Sequence, residues 1–312
     1  MKDLKAHIAL FAVAVVATVL TWNRPRAPVT TMEIFPVWDH DSTDFKGFHY
    51  VDPDLDLRIV RRAGPDGPFY WGIEKREDLG TDSLVFPVGG SGPLLMPRLV
   101  DLPAMRDLGR LSPGRRTRFG LEDSDVHLTV EFTDERRELV VGDSVYGGSD
   151  RYVMEPATGR GYVISRDIMN VMELGEGALR QRTLHNFPVR EIAEVRVAAG
   201  AERERRMART ESDEWTEPGS DTPDPGFANF MERVDQLTIE GYDSLPPVER
   251  LKLVVRIDYL DDDGDALGFS ELLRDDLADR SVYYLRSEST RIIARAHSVL
   301  TERVEQAVED IF

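Results

Sequence analysis

Apolar and polar positions fall into three patterns along the chain. From Ala6 to Trp22 the residues are apolar almost without a break. From Phe45 onward come short runs in which apolar and polar residues alternate, the period of strands with one buried face. Between those runs lie stretches where apolar residues recur every three or four positions, the period of helices packed on one side. Residues 45–51, 55–61 and 69–74 alternate and are separated by Asp52-Pro53 and Gly64-Pro65-Asp66-Gly67 turns, which predicts an antiparallel meander. After the loop at 87–93, Leu95, Leu99, Leu102, Met105 and Leu108 recur at helical spacing, and Pro97 and Pro103 are expected to break that stretch into short turns. Residues 126–132 and 138–141 predict one hairpin, and 151–155 with 161–165 a second, followed by a helix over 166–174 and a linking helix over 178–185.

The same order then returns. Residues 192–197 and 203–209 read as strands, and Asp224-Pro225 caps a helix whose apolar face is Phe227, Phe230, Met231, Val234 and Leu237. Residues 251–259 and 266–269, then 282–285 and 291–294, reproduce the two hairpins, and a helix around Val299–Ile311 closes the chain. Pairing Trp71 with Trp215, Leu102 with Leu237, Leu128 with Leu253 and Tyr152 with Tyr283 gives offsets of 144, 135, 125 and 131 residues, a drift of loop length. The fold class expected is α+β: an N-terminal transmembrane helix followed by two similar antiparallel sheet-plus-helix units in tandem. A chance succession of α+β elements is the alternative. The boundaries are 1–23 for the anchor, 24–37 for a stalk with Pro25, Pro28 and Pro36, 38–175 for the first unit and 176–312 for the second.

A span of the hydrocarbon core takes about 20 apolar residues, with ~17 the lower limit. The run 6–22 meets that limit, with Ile8, Leu10, Phe11, Val15, Val16, Val19 and Leu20 in the bilayer and Trp22 at its interface. A cleaved signal peptide and a buried core helix are the competing readings; no small-x-small pair stands directly ahead of Trp22-Asn23-Arg24-Pro25-Arg26, where a cleavage site would be expected, and the run is apolar all round. Lys2 and Lys5 before the run balance Arg24 and Arg26 after it, so flanking charge does not set the orientation. With 57 Asp+Glu against 39 Lys+Arg, the net charge of -18 repels a polyphosphate backbone, and no nucleic-acid partner is expected. The chain has no cysteine, hence no disulfide or thiolate metal site, which suits an oxidising compartment.

Candidate chemistry is sparse. Asp261-Asp262-Asp263-Gly264-Asp265 invites calcium, but with Gly264 at loop position six, Tyr259 falls at position one and Ser270 at position twelve, where carboxylates belong; an Asp-Gly hairpin turn accounts for the same residues. Asp39, His40, Asp41, Asp44 and His49 form the densest His/Asp cluster without matching any metal-ligand spacing. Gly89, Gly90 and Gly92 precede no Gly-Lys-Ser/Thr. No nucleophile elbow, zinc-protease pair or kinase set occurs, and we assign no catalytic residue, cofactor or metal. Two surfaces stand out: Tyr70, Trp71 and Trp215 as an aromatic wall for a solute or glycan in a cleft between the halves, with core packing as the bland alternative, and Arg115, Arg116 and Arg118 as a basic patch for lipid phosphates or an acidic partner, against a solvated turn.

Arg118-Phe119-Gly120-Leu121-Glu122-Asp123, Val141-Gly142-Asp143, Arg151-Tyr152-Val153, Gly161-Tyr162-Val163-Ile164 and Ala178-Leu179-Arg180-Gln181-Arg182-Thr183-Leu184 follow one another before a strand at 192–197. This order resembles the bacterial family called domain of unknown function 4340, from about Trp38 to Leu245. The chain departs from that pattern at 89–103 and in its highly charged second unit. The resemblance implies a single-pass protein of the bacterial inner membrane with its body in the periplasm. It also implies an association with a gliding-motility-type ABC transporter, beside the permease, the ATPase and an auxiliary subunit, and contact with the lipid bilayer through the N-terminal helix. The expected function is that of a non-enzymatic accessory or scaffold subunit of such an envelope complex; an extracytoplasmic solute- or glycan-binding module is the alternative, and a hydrolase using scattered carboxylates is a third class.

Overall fold

The computed structural model describes residues 35–64, 67–76, 83–200, 203–243, 245–277 and 280–312. The apolar run 6–22 and the stalk up to residue 34 lie outside them, and among the described residues no helix is long and apolar enough to cross a membrane. The first unit contains β1 (Phe35–Asp39), β2 (Gly47–Val51), β3 (Leu55–Arg62), β4 (Phe69–Arg76), β5 (Leu84–Pro87), α1 (Gly92–Val100), β6 (Asp101–Arg110), α2 (Pro113–Arg118), β7 (His127–Glu131), β8 (Arg136–Ser144), β9 (Arg151–Glu155), β10 (Arg160–Ile164) and α3 (Arg166–Leu174). After the four-residue α4 (Glu176–Leu179) come β11 (Glu194–Ala199), β12 (Arg203–Arg209), β13 (Trp215–Thr216), α5 (Pro225–Asp235), β14 (Ile239–Gly241), β15 (Lys252–Leu260), β16 (Ala266–Asp276), β17 (Ser281–Ser287), β18 (Ala294–Ala296) and α6 (Ser298–Ile311).

Every strand pair is antiparallel, and the strands form two sheets. Ten strands are ordered β1-β6-β10-β9-β8-β7-β2-β3-β4-β5, and eight are ordered β13-β12-β11-β15-β16-β17-β18-β14. Without the two edge strands β1 and β5, the first order reads β4-β3-β2-β7-β8-β9-β10-β6, which is the second order strand for strand. The helices occupy corresponding places: α1 precedes β6 as α5 precedes β14, α3 follows β10 as α6 follows β18, and each pair packs together, α1 on α3 and α5 on α6. Alternating strand positions supply the core: Phe48 and Tyr50 on β2, Leu57 and Ile59 on β3, Val195 and Val197 on β11, and Val255, Ile257 and Tyr259 on β15 are all buried. The largest buried cluster runs through both units, including Leu179, Leu184 and Tyr242. On the second sheet a buried carboxylate ties three neighbouring strands by charge, Glu271 accepting from Arg256 Nη1 and from Arg286 Nε, each at 2.6 Å.

Four expectations need correction. Residues 35–37, assigned to the stalk, open β1: Pro36 stands opposite Pro103, so two residues without an N–H share one rung, and the buried Trp38 donates Nε1 to Leu99 O at 2.8 Å. The helical spacing of 95–108 is divided between α1 and β6. Pro103 removes a donor and disfavours helix at Leu102, so the chain extends from Asp101 onward. Met105 and Leu108 are the residues skipped where β6 slips register against β10, and these two bulges turn a period of two into an apparent period of three. The linking helix over 178–185 is only α4, because the backbone beyond it is taken up by a neighbour: Gln181 N donates to Pro87 O, and Gly89 N and Ser91 N donate to Leu179 O and Ala178 O. Arg291, expected in a strand, lies in the loop before β18 at φ 59°.

Candidate functional site

Helix α1 begins Gly92-Pro93 and sits directly on the preceding loop; a Cβ at Gly92 would meet Val88 Cγ1 at 2.4 Å, so only glycine allows this approach. Between α1, Val88 and the start of β4 lies a cleft of about 420 Å³. Its walls are Val88, Pro93, Met96, Pro97 and Val100, its floor includes Tyr70, and His40 and Ser42 supply polar groups at its border. Tyr70 packs on Phe45, with ring centroids 5.8 Å apart, and burial raises its hydroxyl pKa. His40 is held at the border by Phe132, at 3.9 Å between centroids, and its Nε2 lies 2.7 Å from Glu135 Oε1. On the other flank of α1, a groove of about 230 Å³ runs to α3 past Leu94, Arg98, Asp167 and Val171, with Leu94 73% exposed.

The structure brings only part of the expected aromatic wall together. Tyr70 lines the cleft, whereas Trp71 stands edge-on to Phe69 at 6.1 Å with Arg62 over its ring. Trp215 is 8% exposed and packs on Phe227 in the second unit. The His/Asp cluster also disperses: His49 Nε2 meets Asp56 at 2.7 Å, and Asp41 accepts from Thr43 N at 2.8 Å, which lowers its pKa. At the acidic turn, Asp261 accepts from Asp263 N and Asp265 N, closing the β15–β16 hairpin with Gly264 at φ 81°.

The short motifs of the first unit converge. Phe119 stacks on Tyr152 at 4.1 Å, and Asp143 N donates to Phe119 O at 2.9 Å. Gly142 leaves room for that carbonyl, and Gly161 lies beneath Leu111. Leu111, Leu121 and Met154 form a small core of their own, which folds the chain after β6 back over the sheet and sets α2 on top of it. Arg115, Arg116 and Arg118 therefore sit on a built platform, Arg118 exposed and Arg115 and Arg116 half-buried. Arg115 lies over the Phe119 ring at 5.4 Å and donates to Leu108 O at 3.3 Å.

The chain between the units forms a strap, which periodicity does not show. Tyr242 Oη donates to Gln181 O at 3.0 Å, and Ser287 Oγ donates to Leu184 O at 2.5 Å. His185 Nδ1 lies 3.0 Å from Glu288 Oε1, and its Nε2 lies 2.9 Å from Ser270 Oγ. That chain of contacts has the connectivity of a nucleophile, a base and an orienting carboxylate. Ser270 is nevertheless 3% exposed and 3.3 Å from Tyr259 Oη, and the other Glu288 oxygen accepts from Phe269 N, so the set ties the strap to β16. The partners lie 85 and 103 residues apart, beyond any local motif.

A family model described as Domain of unknown function (DUF4340) matches residues 101–252. Over these residues the match bears out the resemblance to the DUF4340 family. The DUF4340 match begins with β6 and ends at the first residue of β15, so it contains α2 with its platform, the strap, and α5. No curated protein and no solved structure matches the chain.

Proposed function

We propose that this protein is a non-enzymatic accessory subunit of a membrane transport assembly. The apolar run 6–22 anchors it in the bacterial inner membrane, its body lies in the periplasm, and it grips an apolar segment of a partner along α1. The observation that carries this reading is the cleft beside α1. It is apolar on nearly all sides, with polar groups only at its border, and exposed Leu94 continues the apolar surface onto the opposite flank of the helix. We infer in addition that the two units are tandem copies of one fold, supported by the shared order of eight strands and two helices. The cleft volume also falls within the few hundred cubic ångströms typical of small-ligand sites, so a solute is the second reading; it is transferred from the separated tryptophans to Tyr70 and His40.

The test is capture of the tagged full-length chain from its native membrane in mild detergent, followed by mass spectrometry. The expected outcome is recovery of a permease and its ATPase in near-equal amounts, lost in Ser42→Trp, which fills the cleft, and in Leu94→Glu, which charges its flank. Both positions are exposed, so the variants keep their fold. Undiminished capture by both variants sinks the role of α1. A chain recovered alone, and stabilised against heat by a solute, favours the second reading.

A further inference from the structure

We propose that the arginines of α2 and the end of β6 form the face on which the body rests against anionic phospholipid headgroups. This rests on the anchored reading given above. Arg110, Arg115, Arg116 and Arg118 stand at one end of the first sheet, and none of them makes an ion pair among the described residues. Arg110 and Arg116 converge on the β9–β10 turn: a Cβ at Gly159 would lie 3.0 Å from Arg116 Nη2 and 3.7 Å from Arg110 Nε. Two guanidinium groups gathered on one glycine, neither of them ion-paired among the described residues, concentrate positive charge that a bound anion would offset. Arg116 Nε is buried without a hydrogen-bond partner. Several other arginines of this acidic body are neutralised, among them Arg160 by Asp107, Arg137 by Glu135 and Glu155, and Arg250 by Asp275; what sets the patch apart is that its unpaired arginines are gathered at one end of the sheet.

Strand direction says which surface this patch faces. β1 runs antiparallel to β6, with Phe35 opposite Ala104 and Asp39 opposite Asp101. Residues 105–110 therefore continue past Phe35 on the side from which the chain enters β1. The arginine end of the sheet is thus the end at which the chain enters β1, and residues 23–34 join that entry point to the anchor. Those twelve residues reach at most ~40 Å when fully extended, and a net charge of -18 would otherwise push the body away from an anionic leaflet.

The chain has no cysteine, so Ser112→Cys gives a single labelling site; Ser112 is exposed, directly precedes α2, and its side chain makes no capping bond. The full chain, carrying a fluorophore there, is reconstituted into nanodiscs of neutral phosphatidylcholine and into discs containing phosphatidylglycerol, both with a headgroup quencher. The expected result is stronger quenching in the anionic discs, reversed by salt. Each of Arg110→Gln, Arg116→Gln and Arg118→Gln should lower the docked-to-free ratio about fivefold, with circular dichroism unchanged. Insertion into both discs with equal quenching, indifferent to the glutamine variants, overturns the docking and leaves the anchor standing. Failure to enter either disc overturns the anchored reading and the docking with it. Quenching that needs an added membrane-protein partner assigns the arginines to an acidic protein surface, and overturns the proposal as stated.

Discussion

Glu74 shows how much of this architecture depends on single polar atoms. It is 2% exposed on β4, and its carboxylate accepts from Glu176 N at 2.5 Å and from Arg76 Nε at 2.6 Å. Gly175, at φ 56°, turns the chain so closely that a Cβ there would meet Glu74 Oε2 at 2.2 Å. One carboxylate thus receives the first turn of α4 and fixes where the strap leaves the first unit. Removing it strands the half-buried Glu176 N–H, which costs ~1–3 kcal/mol. Glu74→Ala should lower the chemical-denaturation midpoint by that amount without changing the slope, while a change below about 0.5 kcal/mol, the size of an ordinary surface substitution, would show that water replaces the bond. Nothing in the local sequence distinguishes Glu74 from the exposed carboxylates around it, since its partners lie 102 residues downstream and two residues along.

At the scale of elements, α5 is where sequence and structure agree most closely. Asp224 was legible as a cap from the proline after it, and its side chain accepts from Phe227 N at 2.9 Å and pairs with Arg205 at 2.7 Å. The Phe227 backbone bond is the main cause of its lowered pKa, with Arg205 adding to it against burial. A carboxyl whose pKa is depressed by folding stabilises the fold above its unfolded pKa and loses that contribution as pH falls. Asp224→Ala should therefore cost ~1 kcal/mol at neutral pH, and the gap from wild type should close as pH falls below about 4, the ordinary range of the group; a gap independent of pH would show that ionisation is irrelevant. Hairpins were legible for the same reason, because turn residues and alternation are local signals. The bulges of β6 were not, since Met105 and Leu108 imitate helical spacing through pairing with β10, more than fifty positions away. The cleft was half legible: Tyr70 could be named as an aromatic near a surface, but its neighbours Val88 and Met96 come from a loop and a helix whose approach depends on Gly92.

The whole molecule raises the question of whether two units with the same strand order also behave as two. Each sheet has its own helix pair, and the order of β4-β3-β2-β7-β8-β9-β10-β6 repeats in the second sheet, so each contains the parts of a domain. Their cores are nevertheless continuous through Leu179, Leu184 and Tyr242. The strap is bonded on one side to Pro87, Gly89 and Ser91 and on the other to Tyr242, Ser270, Ser287 and Glu288, and Arg291 of the second unit lies 4.0 Å over the Phe69 ring of the first. Contacts of this kind make the opening of one unit expose apolar surface belonging to both. The full chain should therefore unfold in one calorimetric transition whose van't Hoff and calorimetric enthalpies agree. Weakening the strap should separate the units. Leu184→Ala removes a buried side chain at ~2–5 kcal/mol, and combined with Tyr242→Phe, which removes a bond worth about 1 kcal/mol, it should split the transition in two. Two transitions already in the unaltered chain would mean that the shared core does not couple the units. A single transition in the double variant would locate the coupling outside the strap, with Arg291 on Phe69 the next contact to remove.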